Sequence, residues 1–153
     1  APKFWPHVEE LAAMLAAEKT HAVILGDLRG MEIAAGWYVH PVGMAWPIRR
    51  AMALALIADV VVGEETALLN AVAMEPMRKV VLLSHSTVEN LTKHWVNTVS
   101  LSGAVPCYPC HRIHQTFDRC PRDESSGTAA CQAAISAFEV MRALGKVILD
   151  GRR

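Results

Sequence analysis

Apolar positions along this chain follow two alternating rhythms, one helical and one of short unbroken runs. After Pro6, residues Val8, Leu11, Ala12 and Leu15 fall at i, i+3, i+4 and i+7, with Glu9, Glu10 and Glu18 off that face. The spacing predicts an amphipathic helix over 7–18. Residues 21–25 form a run closed by Gly26-Asp27, which suits a strand covered on both faces. A weaker strand is expected over 38–42, ended by Gly43. Pro47 opens a second helix over 48–58, and the β-branched run Val60-Val61-Val62 ends at Gly63. Glu64-Glu65-Thr66 is expected to start a third helix reaching about Met74 and stopped by Pro76. Another buried-strand pattern covers 79–83. Ser86 and Glu89 have capping-box spacing, predicting a short helix to about His94, and 96–101 is a further strand candidate. From 103 to 127 no periodicity survives, and an aperiodic loop of that length is usually functional or clamped. Ser136 and Glu139 form a second capping box, opening a last helix with Val140, Met141 and Leu144 and with Gly145 as its expected C-cap.

Repeated strand–helix–strand units imply an α/β fold, a three-layer Rossmann-like parallel sheet with helices on both faces. The length of 153 residues suits a single α/β domain spanning 1–153, with an irregular Cys/His loop at about 103–130. At 52% hydrophobic and 20% charged residues the chain is too apolar to be disordered. Fifteen basic residues balance fifteen acidic ones, which argues against a general nucleic-acid binder. The longest apolar run, 51–58, falls well short of the ~20 residues of a membrane span. Pro2, Lys3 and Pro6 break up the N-terminus, so it does not resemble a signal peptide, and a cytoplasmic location is expected.

Ligands of such folds sit beyond the carboxyl ends of the strands. That makes the turns at 26–30, 63–66 and 84–87 the candidate site. Gly63, Glu65, Thr66 and Ala67 link a strand to a helix N-terminus, whose bare amides and partial positive charge can hold a phosphate. The competing view is that Glu65 and Thr66 only cap that helix. Ser84, His85 and Ser86 follow the next strand in the same manner, with His85 as an acid, a base or a phosphate contact. Gly26 and Asp27, followed by Arg29 and Gly30, add flexible backbone and both charges. Neither G-x-G-x-x-G nor a Walker lysine loop is present. In the aperiodic loop, Cys107 and Cys110 are two residues apart, with His114 and Cys120 within reach, a set that could hold a structural zinc. A disulfide or plain thiols are the alternatives. A metal-dependent hydrolase on this loop is the least favoured activity, because no HExxH-type motif supplies a base.

Several stretches resemble the C-terminal half of glycosyltransferase family 9, the heptosyltransferase-like enzymes of bacterial lipopolysaccharide assembly. Lys3-Phe4-Trp5-Pro6 is similar to the family's K-x-W-P, and Gly26 after an apolar strand matches its second strand. Glu65-Thr66-Ala67-Leu68-Leu69-Asn70 stands where the family has D-S/T-G-P-M-H. Ile135-Ser136-Ala137-Phe138-Glu139-Val140 resembles its closing I-x-P-E-x-V helix, again preceded by a cysteine-bearing loop. The resemblance implies the nucleotide-sugar donor domain of a two-domain GT-B enzyme. Glu65 and Thr66 would meet donor hydroxyls and phosphate, Lys3 would be a phosphate partner, and the turn at 84–87 would line the cleft. Three departures bear on that carry-over: Ala67 for Gly, Asn70 for His, and Glu65 one methylene longer than Asp. The family's first donor-domain strand and its acceptor domain, which supplies the catalytic base, would precede K-x-W-P. The sheet is therefore expected to be incomplete at its N-terminal strand. The expected function is donor binding, with sugar transfer only alongside a missing acceptor domain or partner chain. The alternative is a non-enzymatic interaction module with a cysteine-rich docking loop, able to form a homodimer through an open sheet edge.

Overall fold

The computed structural model describes residues 4–110 and 120–150. Lys3, His111 and His114 lie outside the described residues. Five parallel strands carry the fold: β1 (Ala22–Leu25), β2 (Val39–Gly43), β3 (Val60–Glu64), β4 (Arg78–Leu83) and β5 (Thr98–Ser102). The helices are α1 (Val8–Ala17), α2 (Ile48–Ile57), α3 (Ala67–Ala71), α4 (Ala130–Ala133) and α5 (Ala137–Asp150), with a π-helical turn at Val88–Thr92. The strands form two sheets. β1 pairs with β2, with Ala22 opposite Val39 and a register shift after Ile24, and β3, β4 and β5 pair in that order. Arg78 stands opposite Val60, and Lys79 opposite Thr98.

Alternation along each strand of the larger sheet sorts its side chains between two helical layers. Val60, Val62, Val80, Leu82, Val99 and Leu101 face a core completed by Trp5, Leu11, Ile135, Val140 and Leu144, from α1, α5 and their flanks. On the other face Val61 meets Ala55 of α2 together with Val72 and Met77, and Val81 and Leu83 meet Leu69 of α3, Leu91, Trp95 and Tyr108. Helices on both faces of a parallel sheet make the expected three-layer α/β arrangement. The two sheets share a helical layer, because α1 touches both β2 and α5, and α5 lies across β3, β4 and β5. No helix among the described residues is long and apolar enough to cross a membrane.

Several boundaries differ from expectation for local reasons. Glu64 ends β3, and the following helix runs only over Ala67–Ala71, because Thr66 has the extended backbone of an N-cap. Ser86 and Glu89 form no capping box. Thr87 is the cap, accepting from the Asn90 amide, while Glu89 pairs with Lys93 and Ser86 turns towards Glu65. Gly145 does not end the last helix, which continues to Asp150. The second capping box is formed as expected: Glu139 N–H donates to Ser136 Oγ at 3.2 Å, and Ser136 N–H donates to Glu139 Oε2 at 2.9 Å. Lys79 is fully buried in β4, and its ammonium donates to the carbonyls of Glu75 and Met77 at 2.7 and 2.8 Å. Burial pushes that ammonium's pKa below the usual lysine value.

Candidate functional site

The turns at 26–30, 63–66 and 84–87 all follow the carboxyl ends of parallel strands, where open α/β sheets place their ligands. They form two distinct corners.

The first corner joins the ends of β3 and β4. The Glu65 side chain is only 4% exposed and leans across to the β4 turn. Its Oε1 accepts the Ser84 amide at 2.7 Å and the Ser86 amide at 3.3 Å. Its Oε2 accepts the Ser86 hydroxyl at 3.3 Å and lies 2.8 Å from His85 Nδ1. His85 Nδ1 also meets Ser84 Oγ at 3.0 Å. Both carboxylate oxygens are thus engaged within the protein, whereas Thr66 and Ala67 beside them are exposed. Thr66 makes no side-chain cap, and its carbonyl receives Asn70 Nδ2. Of the residues expected to meet a ligand here, Glu65, Ser84, His85 and Ser86 come together. Thr66 and Ala67 sit at the rim, and Gly63 lies within β3.

The chain's start is tied to the same corner. The Trp5 amide donates to Glu64 Oε1 at 3.0 Å, and the Trp5 indole donates to the Ile135 carbonyl at 2.7 Å. Trp5 was legible only as one letter of a four-residue motif, and its part as a buried anchor comes from the packing. Tyr108 and Gln132 were not singled out in the sequence at all. Tyr108 donates its hydroxyl to the Ser86 carbonyl at 2.9 Å, a second hold on the β4 turn besides Glu65. Burial is the main reason its phenol pKa is raised. Gln132 is fully buried; its Nε2 donates to the Leu83 carbonyl at 3.1 Å, while its Oε1 has no hydrogen-bond partner among the described residues. Neither residue carries a periodic or motif signal, since each acts on backbone distant in sequence.

The second corner lies at the ends of β1 and β2. Gly26, Asp27, Leu28, Arg29, Gly43 and Met44 line an open depression of about 570 Å³. Gly26 at φ +124° and Gly43 at φ +64° take left-handed backbone that favours glycine, and the Gly26 amide donates to the Gly43 carbonyl. Asp27 is paired with Arg29, whose Nε donates at 2.8 Å. The guanidinium holds the Asp27 pKa down at about 2. Asp27 is therefore an ionised carboxylate paired with Arg29 on an exposed turn.

Cys107, Cys110 and Cys120 are half-buried thiols and Cys131 is buried, with no disulfide among them. Burial, followed by the nearby Cys120 and Cys107, pushes the Cys131 pKa up to about 11. Among the described residues no three His, Cys, Asp or Glu side chains are gathered so as to hold a metal ion. Of the zinc set expected on Cys107, Cys110, Cys120 and His114, the three cysteines are described and His114 lies outside the described residues.

No family model and no curated protein matches the sequence. The fold is similar to the solved structure of E. coli ADP-heptose lps heptosyltransferase II, with a TM-score of 0.70 and 16% identity. The likeness covers 99% of this chain and 44% of that one, so the chain spans less than half the length of that protein. The fold is heptosyltransferase-like: parallel strands flanked by helices, in keeping with a Rossmann-like part of a GT-B architecture.

Proposed function

We propose that the chain is the nucleotide-sugar-binding half of a heptosyltransferase-like glycosyltransferase and transfers sugar only together with an acceptor half. The supporting observation is a backbone similar to a heptosyltransferase over 99% of the chain, with the Ser84–Ser86 turn at the carboxyl end of the central strand. The donor would be a sugar on a nucleoside diphosphate. Backbone amides, Ser86 and the exposed Thr66 would meet its phosphates, with Lys3 as a further phosphate partner. Fixed hydrogen-bond donors of this kind would stabilise charge on the departing diphosphate.

The test is thermal unfolding in the presence of ADP, UDP, GDP and their sugars. A ligand at a hundredfold over its Kd adds about 2.7 kcal/mol of stability, so one nucleotide should raise Tm while the others do not. No shift with any of them overturns the proposal.

A second function is favoured by one observation: the carboxylate expected to meet the donor is buried against the protein's own amides. A non-enzymatic interaction module on a degenerate donor-domain fold would keep this sheet and lose the ligand. It predicts silence with every nucleotide and a dimer by light scattering, formed through an open sheet edge.

A further inference from the structure

The Ser84 and Ser86 amides point at one oxygen, Glu65 Oε1, at 2.7 and 3.3 Å. The Ser86 hydroxyl and His85 Nδ1 address the other oxygen of the same carboxylate. Two amides one residue apart, converging on a single anionic oxygen, form the concavity that binds phosphates and other oxyanions at loop–strand junctions. The occupant here is a carboxylate from the neighbouring strand end. The concavity does not depend on Glu65 alone for its shape, because Tyr108 grips the Ser86 carbonyl and Ser84 continues directly from the buried end of β4. Glu65 also has somewhere to go, since Thr66 and Ala67 beside it are exposed.

We propose that the Ser84–Ser86 turn is an anion-binding nest for the diphosphate of a nucleotide ligand, and that Glu65 fills it in competition with that ligand. The ligand's identity rests on the proposed function; the nest itself does not. An arriving phosphate would take over the two amides and the Ser86 hydroxyl. Glu65 would have to withdraw, because two anions cannot share one pair of donors and repel at close range. Glu65 thereby sets a threshold for binding, weakening phosphate groups that lack further contacts elsewhere on the protein. A carboxylate that only staples β3 to β4 would leave no such signature.

The experiment compares the native chain with Glu65→Ala and Glu65→Gln, titrated with inorganic pyrophosphate and with ADP, UDP and GDP. The backbone amide resonances of Ser84 and Ser86 serve as reporters. Glu65→Ala is expected to bind pyrophosphate at least tenfold tighter than the native chain, with both amides shifting on saturation. Glu65→Gln should gain less, because its amide still fills the nest without charge. If Glu65→Ala fails to fold, Glu65→Gln carries the test, with a smaller gain in pyrophosphate affinity over the native chain. If both fail, the native chain decides: at saturating pyrophosphate the two amides must move. Equal pyrophosphate affinity in native and variant chains, or amides that stay still, overturns the nest. A variant that gains pyrophosphate while no nucleotide binds either protein upholds the nest and sinks the donor assignment. Nucleotide binding that is identical with and without the carboxylate does the reverse.

Discussion

The two sheets are built from similar apolar strands yet differ in how well they are covered. In the larger sheet, Val80, Val81, Leu82 and Leu83 of β4 are at most 1% exposed, and α1 and α5 seal one face while α2, α3 and Tyr108 cover the other. In the smaller sheet Val23 of β1 is exposed, and so are Trp37 and Met44 just outside β2 and Ile48, Leu56 and Ile57 on the following helix. Between residues 21 and 58 the buried apolar side chains are Val39, Ala51 and Ala55, two of them alanines. An apolar strand contributes stability only in proportion to the surface that its neighbours remove from water. The difference teaches that the larger sheet holds the fold, while the smaller one is attached chiefly through the contact of α1 with β2.

The sharpest way to break that comparison is one deletion in each sheet. Leu82→Ala removes a fully buried side chain from the main core and is expected to lose about 2–5 kcal/mol by denaturant unfolding. Val23→Ala removes a side chain that water already reaches and should stay within about 0.5 kcal/mol. Amide exchange would sharpen the same point: β4 amides should exchange only by global unfolding, and β1 amides through a smaller local opening. Comparable losses for the two substitutions, or equal protection of the two strands, would contradict the unequal division.

A smaller effect is expected at the join between β5 and the C-terminal helices. Gly103 lies against the backbone of α4, where a Cβ would stand 2.2 Å from the Cys131 carbonyl oxygen and 2.9 Å from Ala134 Cβ. The first neighbour is backbone and cannot rotate aside. Gly103→Ala should therefore push α4 off the sheet end and lose about 1–3 kcal/mol, as overpacking does. Gly127→Ala is the contrast, since a Cβ there meets nothing within 4 Å and only the backbone at φ +67° resists it. A neutral Gly103→Ala would mean that α4 is free to shift.

The strands were legible because β-branched and apolar runs bounded by glycine, aspartate or proline mark them locally. Val60-Val61-Val62 and Val80–Leu83 needed no partner to be recognised. What escaped depends on partners distant in the chain. The split into two sheets is a matter of pairing, which no single strand records. The short α3 follows from Thr66 adopting extended backbone, against the helical pattern of Glu64-Glu65-Thr66. In the candidate site, the turns were found from the rule that ligands sit at strand ends. The inward lean of Glu65 was not, because the amides that donate to it lie 19 and 21 residues further on. Tyr108 and Trp5 were hidden for the same reason: each bonds a carbonyl whose position only the folded chain defines.

The finest probe of the covered half is the box that starts α5, the helix lying over all three strands of the larger sheet. Ser136 Oγ accepts the Glu139 amide, and Glu139 Oε2 accepts both the Ser136 amide and its hydroxyl. Ser136→Ala removes the hydroxyl's share of that exchange and should lose about 1 kcal/mol at neutral pH. The carboxylate adds a pH signature. The Ser136 amide first, and its hydroxyl second, hold the Glu139 pKa below its ordinary value of 4.5. A group whose folded pKa is depressed stabilises the fold above its unfolded pKa and loses that contribution as pH falls through the folded one. The Glu139 contribution is therefore complete above about pH 4.5 and declines below it. Ser136→Ala should flatten part of that decline, because the backbone amide of residue 136 still reaches the carboxylate. Glu139→Gln should remove this residue's share of the decline altogether. Stability measured against pH from 6 down to about 3 separates the three proteins. An unchanged acid limb in Glu139→Gln would show that the box holds α5 by geometry and not by charge.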